Sequence, residues 1–177
     1  MKKQLKYRMY GLVPYNISEI QKGIQFGHAV VEYGILYDNP NDNLEYESWA
    51  INDKTFIILN GGTTNDDLVS EWFGSLNQHV ITLQDNGINY ATFNEPDLGN
   101  QLTAVVFLVD ECVYNKTDYP DFYDYLSNKN FGMVITNALS NESLEEQHPY
   151  KYQEWVETVG GPKNVFLRTF LKYFKLA

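Results

Sequence analysis

The sequence predicts an α/β fold, a four-stranded mixed and mostly parallel sheet covered by helices, with a C-terminal helical extension. Three observations carry this. Thr55–Leu59 and Thr103–Val109 are continuous apolar runs, the pattern of strands buried on both faces. Segments with apolar residues at helical spacing separate the first three strand candidates. Helical crossovers between strands imply parallel neighbours, because an antiparallel pair needs only a short turn.

Residues 5–13 are aromatic and apolar, stop at Pro14, and read as the first strand. Asn16 or Ser18 caps the next helix, with Glu19 in a first turn that favours an anion. Ile20, Ile24, Gly27, Val31 and Ile35 recur at roughly 100° per residue and are expected to form its core-facing stripe. Gly27 on that stripe suggests close approach to the sheet. The helix is expected to end near Tyr37, before a loop over residues 38–43 and a short helix within 44–51. After the strand Thr55–Leu59, Gly61-Gly-Thr-Thr-Asn65 turns into a helix over 66–85. Its apolar arc is Leu68, Val69, Trp72, Phe73, Leu76, Val80 and Leu83, with His79 packed inside it. Asn86-Gly87 ends that helix. Residues 88–95 alternate as a third strand, and Thr103–Val109 forms the fourth.

Two domains of organisation follow. Residues 1–110 form the α/β core, and residues 111–177 form an acidic extension ending in a basic amphipathic helix packed on the core. Short helices are expected around Phe122–Leu126 and Gln153–Val159. The last helix, Lys163–Phe174, places Arg168, Lys172 and Lys175 opposite an aromatic face.

Composition narrows the function. The 177 residues carry a net charge of −10, and residues 11–162 alone carry −18 because both ends are basic. Phosphate contacts need lysine and arginine, so strong non-specific nucleic-acid binding is disfavoured. No apolar run is long enough to span a membrane. The start lacks the apolar stretch of a secretion signal, and the single cysteine, Cys112, allows no internal disulfide. A cytoplasmic setting is expected, and the Asn-X-Ser/Thr triplets at Asn16, Asn115 and Asn141 read as chance matches. Cys112 lacks an obvious base, and three scattered histidines lack metal-ligand spacing, so neither a thiol nucleophile nor a metal or other cofactor is expected.

Two stretches hold the candidate chemistry. On the first helix, Gln21, Gln25, His28 and Glu32 fall within an arc of about 60° beside the apolar stripe. Glu32, one turn after His28, can orient or charge the imidazole, which then serves as a general base or ligand donor. A histidine at the core boundary, satisfied by Glu32, is the structural alternative. The second stretch is Glu95-Pro96-Asp97, two carboxylates at a strand end, followed by Thr103 at the start of the next strand. Carboxylates at that end of a sheet often line a crevice. An ordinary acidic turn is the alternative. Gly61-Gly-Thr-Thr can offer backbone N–H groups to an anion but lacks a phosphate-loop lysine.

With these residues in view, residues 5–110 resemble the type II peptidyl-tRNA hydrolase superfamily, in particular its short bacterial and bacteriophage members. The resemblance rests on Gln25-Phe-Gly-His28-Ala, the strand Thr55–Leu59, and Phe93-Asn-Glu95-Pro-Asp97-Leu with Leu102-Thr103-Ala. It implies hydrolysis of the ester joining a peptide or amino acid to tRNA, with His28, Glu95, Asp97 and Thr103 as catalytic residues. It also implies Gln21, Lys22, Gln25 and Glu32 as substrate-binding residues. The chain departs from the family pattern in three places. Gln21 stands where the enzymes carry a lysine, with Lys22 one step away. Gly27 stands where they carry serine. Glu95-Pro-Asp97-Leu replaces a segment containing arginine and threonine. A catalytically degraded scaffold that binds a ligand, or a host or partner protein, is therefore the second expectation. Broad aromatic faces also make a homodimer plausible.

Overall fold

The computed structural model describes residues 5–37, 44–64, 75–128 and 143–177. The expected loop over 38–43 lies outside the described residues, as do Leu68, Val69, Trp72 and Phe73 of the expected third helical arc. The chain divides into two compact units, Met1–Asp110 together with Leu171–Ala177, and Glu111–Phe170.

In the first unit, strand β1 spans Tyr7–Val13 and helix α1 spans Glu19–Leu36. Helix α2 spans Leu44–Ser48 and runs into a π-helical turn over Trp49–Asp53. Strand β2 is Phe56–Asn60, helix α3 is Ser75–Asp85, β3 is Tyr90–Glu95 and β4 is Gln101–Asp110. The strands lie in the order β2-β1-β4-β3. β1 and β2 pair in parallel, and β4 pairs antiparallel with both β1 and β3.

The sheet is therefore mixed but not mostly parallel. The crossovers do make β1, β2 and β3 run the same way. Crossovers fix direction, however, not adjacency. The β3–β4 link is a single tight turn, Pro96–Leu98 followed by Gly99 and Asn100 at positive φ. It folds β4 straight back along β3, and β4 then separates β3 from β1. Only one parallel pair survives.

Helix α1 begins where its capping chemistry dictates. The Ser18 hydroxyl accepts from the Gln21 backbone N–H, and the Gln21 side chain accepts from the Ser18 N–H. Such a reciprocal box satisfies two orphan donors of the first turn. The helix then presents Lys22, Gln25, Phe26, Ala29 and Tyr33 to the sheet. Ile20, Ile24, Val31 and Ile35, the residues expected inside, are all exposed. The helical period was right and the phase was wrong by half a turn. Phe26 and Tyr33 bury larger rings than the aliphatics opposite them, and the sheet takes the rings.

The phase also moves the point of close approach. A Cβ on Gly27 would meet nothing within 4 Å, whereas one on Gly11 of β1 would sit 2.3 Å from the Phe26 ring. Gly11 is the glycine that lets helix and sheet meet. Around it, Tyr7, Met9, Val13, Phe26, Ala29, Tyr33, Trp49, Ala91, Ala104, Val106 and Leu108 form one apolar cluster. Tyr10, Leu12, Val105, Phe107 and Val109 alternate onto the other face and are buried too. Helix α3 packs against β3 and β4 with Leu76 and Leu83 fully buried, and it stops at Asn86-Gly87 as expected. The Gly87 and Ile88 N–H groups donate to the carbonyls of Gln84 and Leu83.

The C-terminal residues close the outer edge of β2. The Asn60 N–H donates to the Lys175 carbonyl at 2.9 Å, the Ala177 N–H donates to the Ile58 carbonyl at 3.1 Å, and Leu176 bridges Leu59 in antiparallel sense. A covered edge has fewer open ladder groups for other chains to pair with. His79 of α3 meets Phe174 edge-on at 4.9 Å.

In the second unit, helices α5 (Phe122–Asn128), α6 (Leu144–Gln147), α7 (Pro149–Thr158) and α8 (Pro162–Phe170) gather around Phe122, Tyr125, Leu126, Trp155, Val156 and Val159, and the short helix α4 (Glu111–Tyr114) packs on α8. Arg168, expected on an exposed basic face, is instead buried. Its guanidinium donates to the carbonyls of Cys112 and Tyr119 and to Asp121 Oδ1 at 2.7 Å, and it lies 5.6 Å from the Trp155 ring. Five planar donors suit such a hub, which lysine could not fill.

Candidate functional site

The first-helix flank and the Glu95 corner meet. Gln25, turned toward the sheet, donates from Nε2 to Glu95 Oε2 at 2.5 Å. It accepts at Oε1 from the Thr103 hydroxyl at 2.8 Å. The amide orientation is forced, since a flipped amide would set its oxygen against the Glu95 carboxylate. Glu95 Oε1 in turn accepts from the Asp97 backbone N–H at 3.3 Å, capping the turn that follows β3.

Thr103 reaches Gln25 because of an irregularity in the sheet. The β3–β4 register runs Phe93 to Ala104 and then Asn94 to Leu102, which leaves Thr103 as an extra residue on β4. A bulge breaks the strict alternation of side chains. Thr103 therefore faces α1 although its neighbour Ala104 belongs to the same-face cluster. Thr103 is fully buried, and its hydroxyl also lies 3.2 Å from the Phe93 carbonyl.

His28 sits one turn beyond Gln25, exposed, with its ring stacked on Phe93 at 4.5 Å between centroids and 19° between planes. Among the described residues it makes no hydrogen bond to Glu32, Glu95 or Asp97. The expected Glu32 partnership is thus not formed, and the aromatic ring beneath the imidazole orients it instead. Phe93 was quoted in the sequence only as part of a motif. Its alternation with Ala91 on the α1-facing side of β3 was the available signal.

The remaining sequence candidates stand apart. Gln21 is spent in the helix cap. Lys22 turns toward Glu19, with Nζ to Oε1 at 2.8 Å. Asp97 is exposed on the turn. Among the described residues no lysine or arginine pairs with His28, Glu95 or Asp97, and no group of three or more His, Cys, Asp or Glu is placed to hold a metal ion. No described helix is long and apolar enough to cross a membrane.

No protein-family model and no curated protein matches the chain.

What the geometry offers is therefore specific. A Thr103–Gln25–Glu95 hydrogen-bond chain, buried at Thr103 and Gln25 and half-buried at Glu95, fixes one carboxylate at the corner of the sheet, and a neighbouring exposed imidazole is held flat on Phe93. One group can accept a proton from water, and the other can stabilise the cation that results.

Proposed function

We propose that this chain is a divergent peptidyl-tRNA-hydrolase-like protein that hydrolyses the ester linking an aminoacyl or peptidyl group to tRNA. The observation that carries the reading is the Gln25–Glu95 hydrogen bond. It ties the histidine-bearing helix to the acidic corner, the two segments on which the family resemblance also rests. In the mechanism, His28 removes a proton from water as the water attacks the ester carbonyl. The resulting imidazolium returns the proton to the departing ribose hydroxyl as the acyl C–O bond breaks. Glu95 supports the transient imidazolium electrostatically, and Asp97 adds negative charge at the same corner. Gln25 and Thr103 act as positioning residues, holding Glu95 in place. With the family's lysine and arginine absent, stabilisation of the oxyanion falls to backbone N–H groups.

The test is release of amino acid from an N-blocked aminoacyl-tRNA by the purified chain, run beside a mobility shift at stated salt. Release together with salt-sensitive binding supports the reading. A chain that shows neither has a different role.

The second reading is a scaffold that has lost catalysis and binds a ligand, or a host or partner protein. The unpaired position of His28 with respect to the carboxylates favours it, because a base without a partner is poorly activated. Binding of tRNA without turnover, or retention of a partner by the intact chain with no release of amino acid, separates this reading from the first.

A further inference from the structure

Helix α1 is more apolar on the side that faces solvent than on the side that faces the sheet. Its inward face includes Lys22 and Gln25. Its outward face is Ile20, Ile24, Gly27, Val31 and Ile35, confined to an arc of about 80° directly opposite. Ile20 is 76% exposed, Ile24 50%, Val31 60% and Ile35 65%. A helix surface normally turns its apolar stripe toward a core and its polar residues toward water, so this outward stripe is an apolar face that none of the described residues of its own chain covers. The spacing of four, three, four and four residues is that of a seam for another helix.

We infer that the partner is a second copy of this chain, docked through α1 antiparallel to α1 about a two-fold axis beside Gly27. The order of the residues supports self-pairing. About an axis between Gly27 and His28, Ile24 of one copy faces Val31 of the other, and Ile20 faces Ile35. Every aliphatic meets an aliphatic, as an isologous contact requires. Gly27 lies at the crossing and has open space above it, so the two backbones can approach closely. The stripe itself carries no charge. Of the charged residues on the helix, Glu19 and Lys22 satisfy each other, and Glu32 lies on the flank. Two copies can therefore close without setting like charges against each other, although the chain is acidic overall. A partner selected by charge would find none along this seam.

The exposed stripe offers on the order of 400 Å² per copy, a typical functional patch but less than the ~800 Å² per partner of a standard interface. The dimer is therefore reversible and concentration-dependent. The same geometry brings His28 of each copy next to the axis on one flank, so the two His28–Phe93 clusters open side by side. This inference is independent of the hydrolytic reading.

The experiment is sedimentation equilibrium of the full chain from low micromolar to several hundred micromolar. The mass is expected to rise from 20.5 kDa toward twice that value. Val31→Lys, or Ile35→Lys should the first variant fold poorly, is expected to hold the monomer mass throughout with an unchanged circular dichroism spectrum. In a Cys112→Ser background, oxidising a mixture of Ile24→Cys and Val31→Cys chains is expected to give at least about tenfold more disulfide dimer than either alone, since only the mixture sets the two cysteines opposite. A monomer at every concentration, with or without some other partner on the stripe, overturns the proposal. So does a dimer indifferent to both lysine substitutions, or equal cross-linking of the single variants and the mixture.

Discussion

Thr103→Val removes one hydroxyl from a fully buried site and keeps the shape of the side chain. Its consequence follows from the hydrogen-bond chain. Gln25 Oε1 loses its donor at 2.8 Å while Gln25 itself remains buried. Leaving a buried acceptor unpaired costs about 1–3 kcal/mol. Gln25 can relieve this only by turning its amide, and turning sets oxygen against the Glu95 carboxylate. Native-state hydrogen exchange of the β4 amides reads the loss within the first unit. A change of about 1–2 kcal/mol appears there as a 5–30-fold faster globally limited exchange. The companion substitution Gln25→Leu is expected to cost less in the valine background than in the native one, with a coupling of about 0.5–3 kcal/mol. If Thr103→Val costs less than about 0.5 kcal/mol and Gln25→Leu costs the same in both backgrounds, the relay does not exist as described.

Other outcomes follow from the same packing. Gly11→Ala drives a methyl into the Phe26 ring and is expected to destabilise the first unit by about 1–3 kcal/mol, measured by urea unfolding with β1 exchange as the local probe. Arg168→Met removes a guanidinium that binds two carbonyls and Asp121, and exchange in α5 and α7 is expected to accelerate by at least tenfold, about 1.4 kcal/mol. Burial pushes the Asp121 carboxyl up, but hydrogen bonds and charge from Lys116 and Arg168 overrule it and hold the group down at about 2. The stabilisation this gives the second unit is present above about pH 4 and lost as pH falls through about 2, which an acid titration followed by exchange in α5 detects. Burial lowers the pKa of His79, against an opposing hydrogen bond that the imidazole donates to the Gly61 backbone carbonyl. Its neutral form is the folded one. The Phe174 contact is therefore secure above about pH 6.5 and weakens as pH falls below it, and His79→Leu is expected to flatten the pH dependence of Ala177 amide exchange.

The elements were legible in the sequence because each rests on a local signal. Asn16 or Ser18, with Glu19 after it, marked the start of α1, Asn86-Gly87 the end of α3, and two apolar runs the central strands. Three features were not legible. The phase of α1 could not be read, because Phe26 and Tyr33 compete with an equally periodic aliphatic stripe, and only the sheet decides between them. The neighbour relations of the strands depend on how the short turn at Pro96–Leu98 returns β4, not on the crossovers. The bulge at Thr103 has no composition of its own. The site was nonetheless half visible. Gln25, Glu95 and Thr103 were named from the sequence, and the structure joins them directly. The roles of Phe93 beneath His28 and of Arg168 as a buried hub needed coordinates, since each depends on a partner distant in sequence.

The most direct test of the account is the rate of amino acid release from N-blocked aminoacyl-tRNA by the native chain, His28→Ala and Glu95→Gln, each checked for unchanged fold. Removing a general base is expected to slow release by about 10²–10⁴-fold for His28→Ala, with a smaller loss for Glu95→Gln. Release by the native chain that His28→Ala leaves unaltered, or no release from any of the three, contradicts a hydrolytic centre at this corner of the sheet.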